Sequence, residues 1–193
     1  MKQQEGLNTL LPSLARSAIA SRLGIVTDAA AGDHPLLQQR RGLFVTLKLH
    51  GQLRGCIGSL VAVETVAAGI QNHACNAAFN DHRFPPVTAE ELPHLVISVS
   101  VLSTPQALDF ESPVDLCRQL APGRDGVILR HPSGRSATFL PQVWEQLPRC
   151  ENFLAALARK SGLRETGWQD KGVSISTYQA EVYTEEGNTG SCH

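Results

Sequence analysis

An α+β fold with a mixed, largely antiparallel sheet and packed helices follows from three features of the chain. Strand-period segments occur as hairpins, one in each half; helix-period segments fall irregularly between them; and the regular strand-helix alternation that builds a doubly wound parallel sheet is missing. With 193 residues, 42% of them hydrophobic, the chain is long enough to bury one sizeable core. We read residues 1–185 as one domain and the polar residues 186–193 as a disordered tail.

The elements follow in order. Leu7, Leu10, Leu11, Leu14, Ala18, Ile19 and Leu23 fall at helical spacing, with Gly24 placed as a C-terminal cap. Residues 43–50 carry aliphatic side chains at every odd position, the pattern of a half-buried strand. After Gly51-Gln52 the chain returns as Leu53-Arg54-Gly55-Cys56-Ile57-Gly58. A two-residue turn at Gly51-Gln52 would drive Arg54 towards the core at a cost of several kcal/mol. A three-residue loop over 51–53 instead puts Ile57 with Leu47 on the buried face and Arg54 and Cys56 outside it.

Residues 64–80 form an Ala-rich helix whose small side chains allow close approach to a sheet, and Pro85-Pro86 enforces an extended segment after it. Thr88-Ala89-Glu90-Glu91 has the form of a capping box and starts a short helix that Pro93 stops. Residues 95–102 alternate as a strand. Ser112-Pro113 caps a helix running through Leu120, and residues 126–140 form a hairpin turning at His131-Pro132-Ser133-Gly134. Pro141 opens a helical stretch that Pro148 interrupts and Gly162 caps. A last strand covers 173–183.

The composition narrows the function classes. The chain has 17 basic and 18 acidic residues without a block of like charge, so it lacks the footprint of non-specific nucleic-acid or membrane binding. No apolar run reaches membrane-spanning length and no secretory signal opens the sequence, which places the protein in the cytoplasm. Its five cysteines are widely spaced with no Cys-x-x-Cys pair. Reduced thiols are therefore expected, with neither a disulfide framework nor a metal knuckle. His73 and Cys75, two positions apart on one helix, point about 200° around it and cannot share a metal. The sequence names no cofactor.

No phosphate-cradling loop, dinucleotide fingerprint, zinc-protease or nucleophile-elbow motif occurs. Two stretches are unusual. In the segment from Leu53 to Gly58, Gly55 and Gly58 flank Cys56 and imply a bulge, a bend or the close approach of another group. An arginine about 7 Å from the sulfur would favour the thiolate by about 0.6 kcal/mol in water but about 2.4 kcal/mol at an effective dielectric of 20, so burial decides the reactivity of Cys56. In Asp81-His82-Arg83-Phe84-Pro85-Pro86, Asp81 and Arg83 either satisfy nearby backbone groups or serve a ligand. In the second case Arg83 binds an anion, and Asp81 orients it or moves a proton.

These stretches, with Phe44-Val45-Thr46-Leu47, Ala77-Ala78-Phe79, Glu91-Leu92-Pro93, Thr138-Phe139-Leu140-Pro141 and Lys160-Ser161-Gly162-Leu163, resemble the AMMECR domain family, the AmmeMemoRadiSam system protein A family, from about residue 10 to 183. The resemblance implies an α+β domain of two intertwined lobes, a larger and a smaller, with a groove near the cysteine motif. It also implies a pathway shared with a Memo-like protein and a radical S-adenosylmethionine protein as partners. It carries no established reaction. Two readings follow. As an enzyme, the protein uses Cys56 as nucleophile or redox thiol and Asp81 for orientation or proton transfer, with Arg54, Gly55, Gly58 and Arg83 around a small anionic substrate. As a binding module, it presents the same groove to a partner protein or peptide.

Overall fold

The computed structural model describes residues 2–26 and 32–185; the expected tail over 186–193 lies outside them. The helices are α1 (Lys2–Arg22), α2 (Pro35–Gln38), α3 (Val66–Phe79), α4 (Pro113–Gln119) and α5 (Cys150–Lys160). The strands are β1 (Leu43–Leu49), β2 (Gln52–Ser59), β3 (Leu95–Leu102), β4 (Gln106–Leu108), β5 (Gly126–Arg130), β6 (Ser136–Phe139), β7 (Ser174–Tyr178) and β8 (Ala180–Thr184). They form two four-stranded sheets, ordered β2-β1-β3-β8 and β4-β7-β5-β6, so the expected α+β class is what the chain adopts.

The chain divides into two compact units. The first holds the described residues up to Leu102 together with 181–185; Ser103–Ala180 form the second. In the first unit the odd-numbered side chains of β1 and β3 share a core with α1 and α3, Val45, Leu47, Ile97 and Val99 meeting Leu11, Ala15, Ile70 and Ala74. The opposite face carries Phe44, Thr46 and Lys48. Alternation along each strand thus commits one face to the core and leaves the other for polar groups. The returning chain is fastened by Arg16 of α1, which grips Glu185 through Nε and Nη2 at 2.7 Å each and also donates to the carbonyls of Leu92 and Leu95.

In the second unit α4 and α5 supply Leu116, Phe153, Leu154 and Leu157 to a core shared with Val127, Leu129, Ile175, Trp144 and Trp168. The Trp144 and Phe153 rings stack at 3.7 Å, and the indole N–H donates to the Asp125 carbonyl at 2.7 Å. Ser112 caps α4 by accepting from Asp115 N, as its sequence implies.

Four sequence expectations are corrected. Cys117 and Cys150 form a disulfide, because α4 and α5 bring their Cα atoms to 5.6 Å, inside the range that a disulfide spans. The single strand over 173–183 is two strands, β7 and β8, in different sheets. The segment after Thr88 is a turn leading into a 3-10 turn at Leu92–His94 rather than a helix. The three-residue hairpin loop is a two-residue turn followed by a bulge.

Candidate functional site

The site begins with that hairpin. His50 and Gly51 have φ of 50° and 79°, the left-handed pair that a two-residue turn between twisted strands requires. Leu49 pairs with Gln52 and Lys48 with Leu53, but Leu47 pairs with Gly55, so Arg54 is the extra residue of a β-bulge. Beyond the bulge Val45 faces Ile57 and Thr46 faces Cys56. Cys56 therefore lies off the main core, on the face predicted for it, although two positions out of the predicted register.

The bulge turns Arg54 inward, where it is 8% exposed. Its Nε and Nη2 bind the two carboxylate oxygens of Glu91 at 2.8 and 2.9 Å, while Nη1 and Nη2 donate to the carbonyls of Pro85 and Pro86 at 2.8 and 3.2 Å. Every guanidinium nitrogen is thus used within the protein, and the position expected to bind substrate instead anchors the proline segment. Glu91 is presented by its capping box: Thr88 N donates to Glu91 Oε2 at 2.9 Å, and Glu91 N to Thr88 Oγ1 at 3.3 Å. The Arg54 guanidinium holds the Glu91 carboxyl below its ordinary pKa.

Asp81 and Arg83 follow the α3 C-terminus. Asp81 is 4% exposed, and its Oδ2 accepts from Cys56 N at 2.9 Å and from Arg83 Nη2 at 2.6 Å. Its Oδ1 accepts from Arg83 Nε and N at 2.9 and 3.2 Å. Bonding to Arg83, reinforced by the Cys56 amide, drives the Asp81 carboxyl far below the usual carboxylate range. It stays ionised at neutral pH, which suits orientation and not proton transfer. Arg83 Nη2 also donates to the Cys56 carbonyl at 3.3 Å. The ion pair therefore occupies both backbone groups of Cys56 as a neighbouring strand would, at the open edge of the sheet. Arg83 Nη1 has no hydrogen-bond partner among the described residues, although the guanidinium lies 5.4 Å from the centroid of the Phe84 ring, and the side chain is 46% exposed.

The half-buried Cys56 has one hydrogen-bond partner for its sulfur among the described residues, the Thr46 hydroxyl at 3.3 Å. Thr46 in turn faces Ser98 across the sheet, and Ser98 Oγ meets Thr184 Oγ1 at 2.9 Å. A row of small polar side chains so crosses the face opposite the helices. The two glycines serve the fold. A Cβ at Gly55 would collide with the Ala77 carbonyl of α3, and one at Gly58 with the Phe44 ring and the Leu43 carbonyl. Neither leaves a vacant niche for a ligand group.

Cys56, Asp81 and Arg83 meet in space, and the partner of the sulfur is Thr46, which sequence reasoning does not single out. The even-numbered alternation of β1 was the available signal. Sequence reasoning also left Glu91 out of the site, although the capping box that it belongs to was recognised. Among the described residues no set of three or more His, Cys, Asp or Glu side chains could hold a metal. Cys75 donates to the Ala18 carbonyl at 3.7 Å, and burial raises its pKa while lowering that of His73.

An α+β chain of two units with two four-stranded sheets is the class that these features define. The sequence profile of the AMMECR1 family matches residues 12–183. A protein of Thermofilum pendens is 34% identical over 202 residues, covering 96% of this chain and 92% of its own. One of Methanothermobacter thermautotrophicus is 37% identical over 184 residues, covering 92% and 93%. The crystal structure of the uncharacterised protein PH0010 of Pyrococcus horikoshii superposes with a TM-score of 0.80 at 34% identity, over 94% of this chain and 92% of that one. The chain belongs to the AMMECR1 family.

Proposed function

We propose that the protein acts through Cys56 on a small anionic substrate, with Arg83 holding the anion and Asp81 fixing Arg83. The observation that carries this reading is the double use of the Asp81–Arg83 pair. It binds both backbone groups of Cys56 and still leaves Arg83 Nη1 free, on a side chain 46% exposed. A cation so placed can receive a carboxylate or phosphate beside the sulfur. Arg54 supports the site from behind as a positioning residue. In this reading the protein is the A component of an AmmeMemoRadiSam-type system in the cytoplasm.

A second reading is favoured by one feature: among the described residues the sulfur's hydrogen-bond partner is a hydroxyl, and no acidic or basic side chain bonds to it. The chain would then be a non-catalytic module that docks a Memo-like or radical S-adenosylmethionine protein, with Cys56 merely fitting the space.

Iodoacetamide alkylation of Cys56 at pH 7, in a Cys75→Ser/Cys192→Ser background, separates the two. The first reading expects an anion bound at Arg83, millimolar phosphate or acetate, to shield the sulfur and slow alkylation at least ten-fold in the wild type but not in Arg83→Met. Equal rates in both proteins, with no protection by either anion, would leave the binding module.

A further inference from the structure

β2 is the outer strand of its sheet, and along an antiparallel strand alternate residues turn their N–H and C=O away from the partner. The bonds from Asp81 and Arg83 show that Cys56 is such an outward residue. Gly58 pairs with Phe44 two positions along the same unbroken register, so its N–H and C=O also point out of the sheet. Among the described residues neither group has a hydrogen-bond partner. The edge therefore has one residue capped by an ion pair and, about 7 Å further on, one residue left open.

We infer that this edge receives the C-terminal end of an extended peptide. The inference rests on the reading above that Arg83 holds an anionic group, and it names the class of molecule bearing that group. A peptide lying alongside β2 makes two backbone bonds with Gly58, the mode of strand addition to an exposed edge. Running towards Cys56, it meets Asp81 and Arg83 where its next backbone partners would be, so it cannot continue past them. A chain end must lie there, and the free nitrogen of Arg83 selects the end that is negative, the terminal carboxylate. That carboxylate then lies beside the Cys56 sulfur. A small free anion would use Arg83 alone and leave Gly58 open.

The test uses the intact protein and two pools of fluorescent octapeptides, identical in sequence but with free or amidated C-termini, with acetate as a third probe. The free-acid pool is expected to bind at least ten-fold more tightly than the amidated pool, to slow exchange of the Gly58 amide by at least ten-fold, and to protect Cys56 from iodoacetamide. In Arg83→Gln the preference for the free acid should vanish. Equal binding of the two pools, or no binding by either, overturns the inference, and this comparison needs only the unmodified protein. Arg83-dependent protection by acetate without peptide binding would sink the peptide inference while sparing the proposed function. Loss of Arg83 dependence for every anion would sink both.

Discussion

Asp81 shows how one buried carboxylate can hold a backbone amide and a guanidinium at once. Its carboxylate is almost fully buried and is spent on Cys56 N and Arg83, so Asp81→Asn keeps the shape but leaves Arg83 without its counter-charge. Because Arg83 is about half exposed, water screens part of that loss, and the expected cost is about 1–2 kcal/mol at pH 7. The sign with pH follows from the depressed pKa. The native state favours the charged form, so the contribution is complete above the free-aspartate value of 3.8 and declines as pH falls below it towards the much lower folded-state value. Urea unfolding of wild type and Asp81→Asn at pH 7 and pH 3 should therefore show a gap that narrows in acid. A gap that widened would mean that Asp81 is not held by Arg83. Gly55 acts at the same scale through what it lacks. Since a methyl group would strike the Ala77 carbonyl, Gly55→Ala must push α3 off the sheet, and it should destabilise by about 1–3 kcal/mol.

At the scale of elements, the segment from Pro85 to Glu91 is held by a capping box whose glutamate has a second duty. The same Glu91 oxygen accepts from Thr88 N and from Arg54 Nη2. Removing only the cap, by Thr88→Ala, should cost about 1 kcal/mol. Glu91→Gln strips the counter-charge from a buried guanidinium and should cost more, about 2–4 kcal/mol. In a double-mutant cycle Glu91→Gln and Arg54→Met should be strongly non-additive in urea unfolding, and additivity would refute the coupling. This segment also marks where sequence reading stops. Caps and alternation are local, which is why Ser112, Thr88 and the strand over 95–102 could be read from the chain. The bulge at Arg54 is not local: it arises because the guanidinium is satisfied by Glu91, 37 positions away. Likewise no glycine or proline near Gln179 announces that the chain leaves one sheet at Tyr178 and enters another at Ala180.

For the whole molecule, the Cys117–Cys150 disulfide is the covalent tie that spacing could not predict, because 33 positions separate the two residues and only the packing of α4 on α5 joins them. It closes a loop containing β5, β6 and Trp144, so its removal enlarges the unfolded ensemble of the second unit. The chain-entropy relation for a loop of this length gives about 3–4 kcal/mol. Both tryptophans of the chain, Trp144 and Trp168, lie in the core of that unit, so indole fluorescence reports on it without interference from the first unit. Reduction, or the Cys117→Ser/Cys150→Ser double variant, should therefore lower the fluorescence midpoint by at least about 1 M urea. Cys75→Ser, whose thiol only donates to the Ala18 carbonyl of the first unit, should leave that midpoint in place. An unchanged midpoint on reduction would show that the two sulfurs are not bonded in solution, and α4 and α5 would then be held together by their shared apolar core alone.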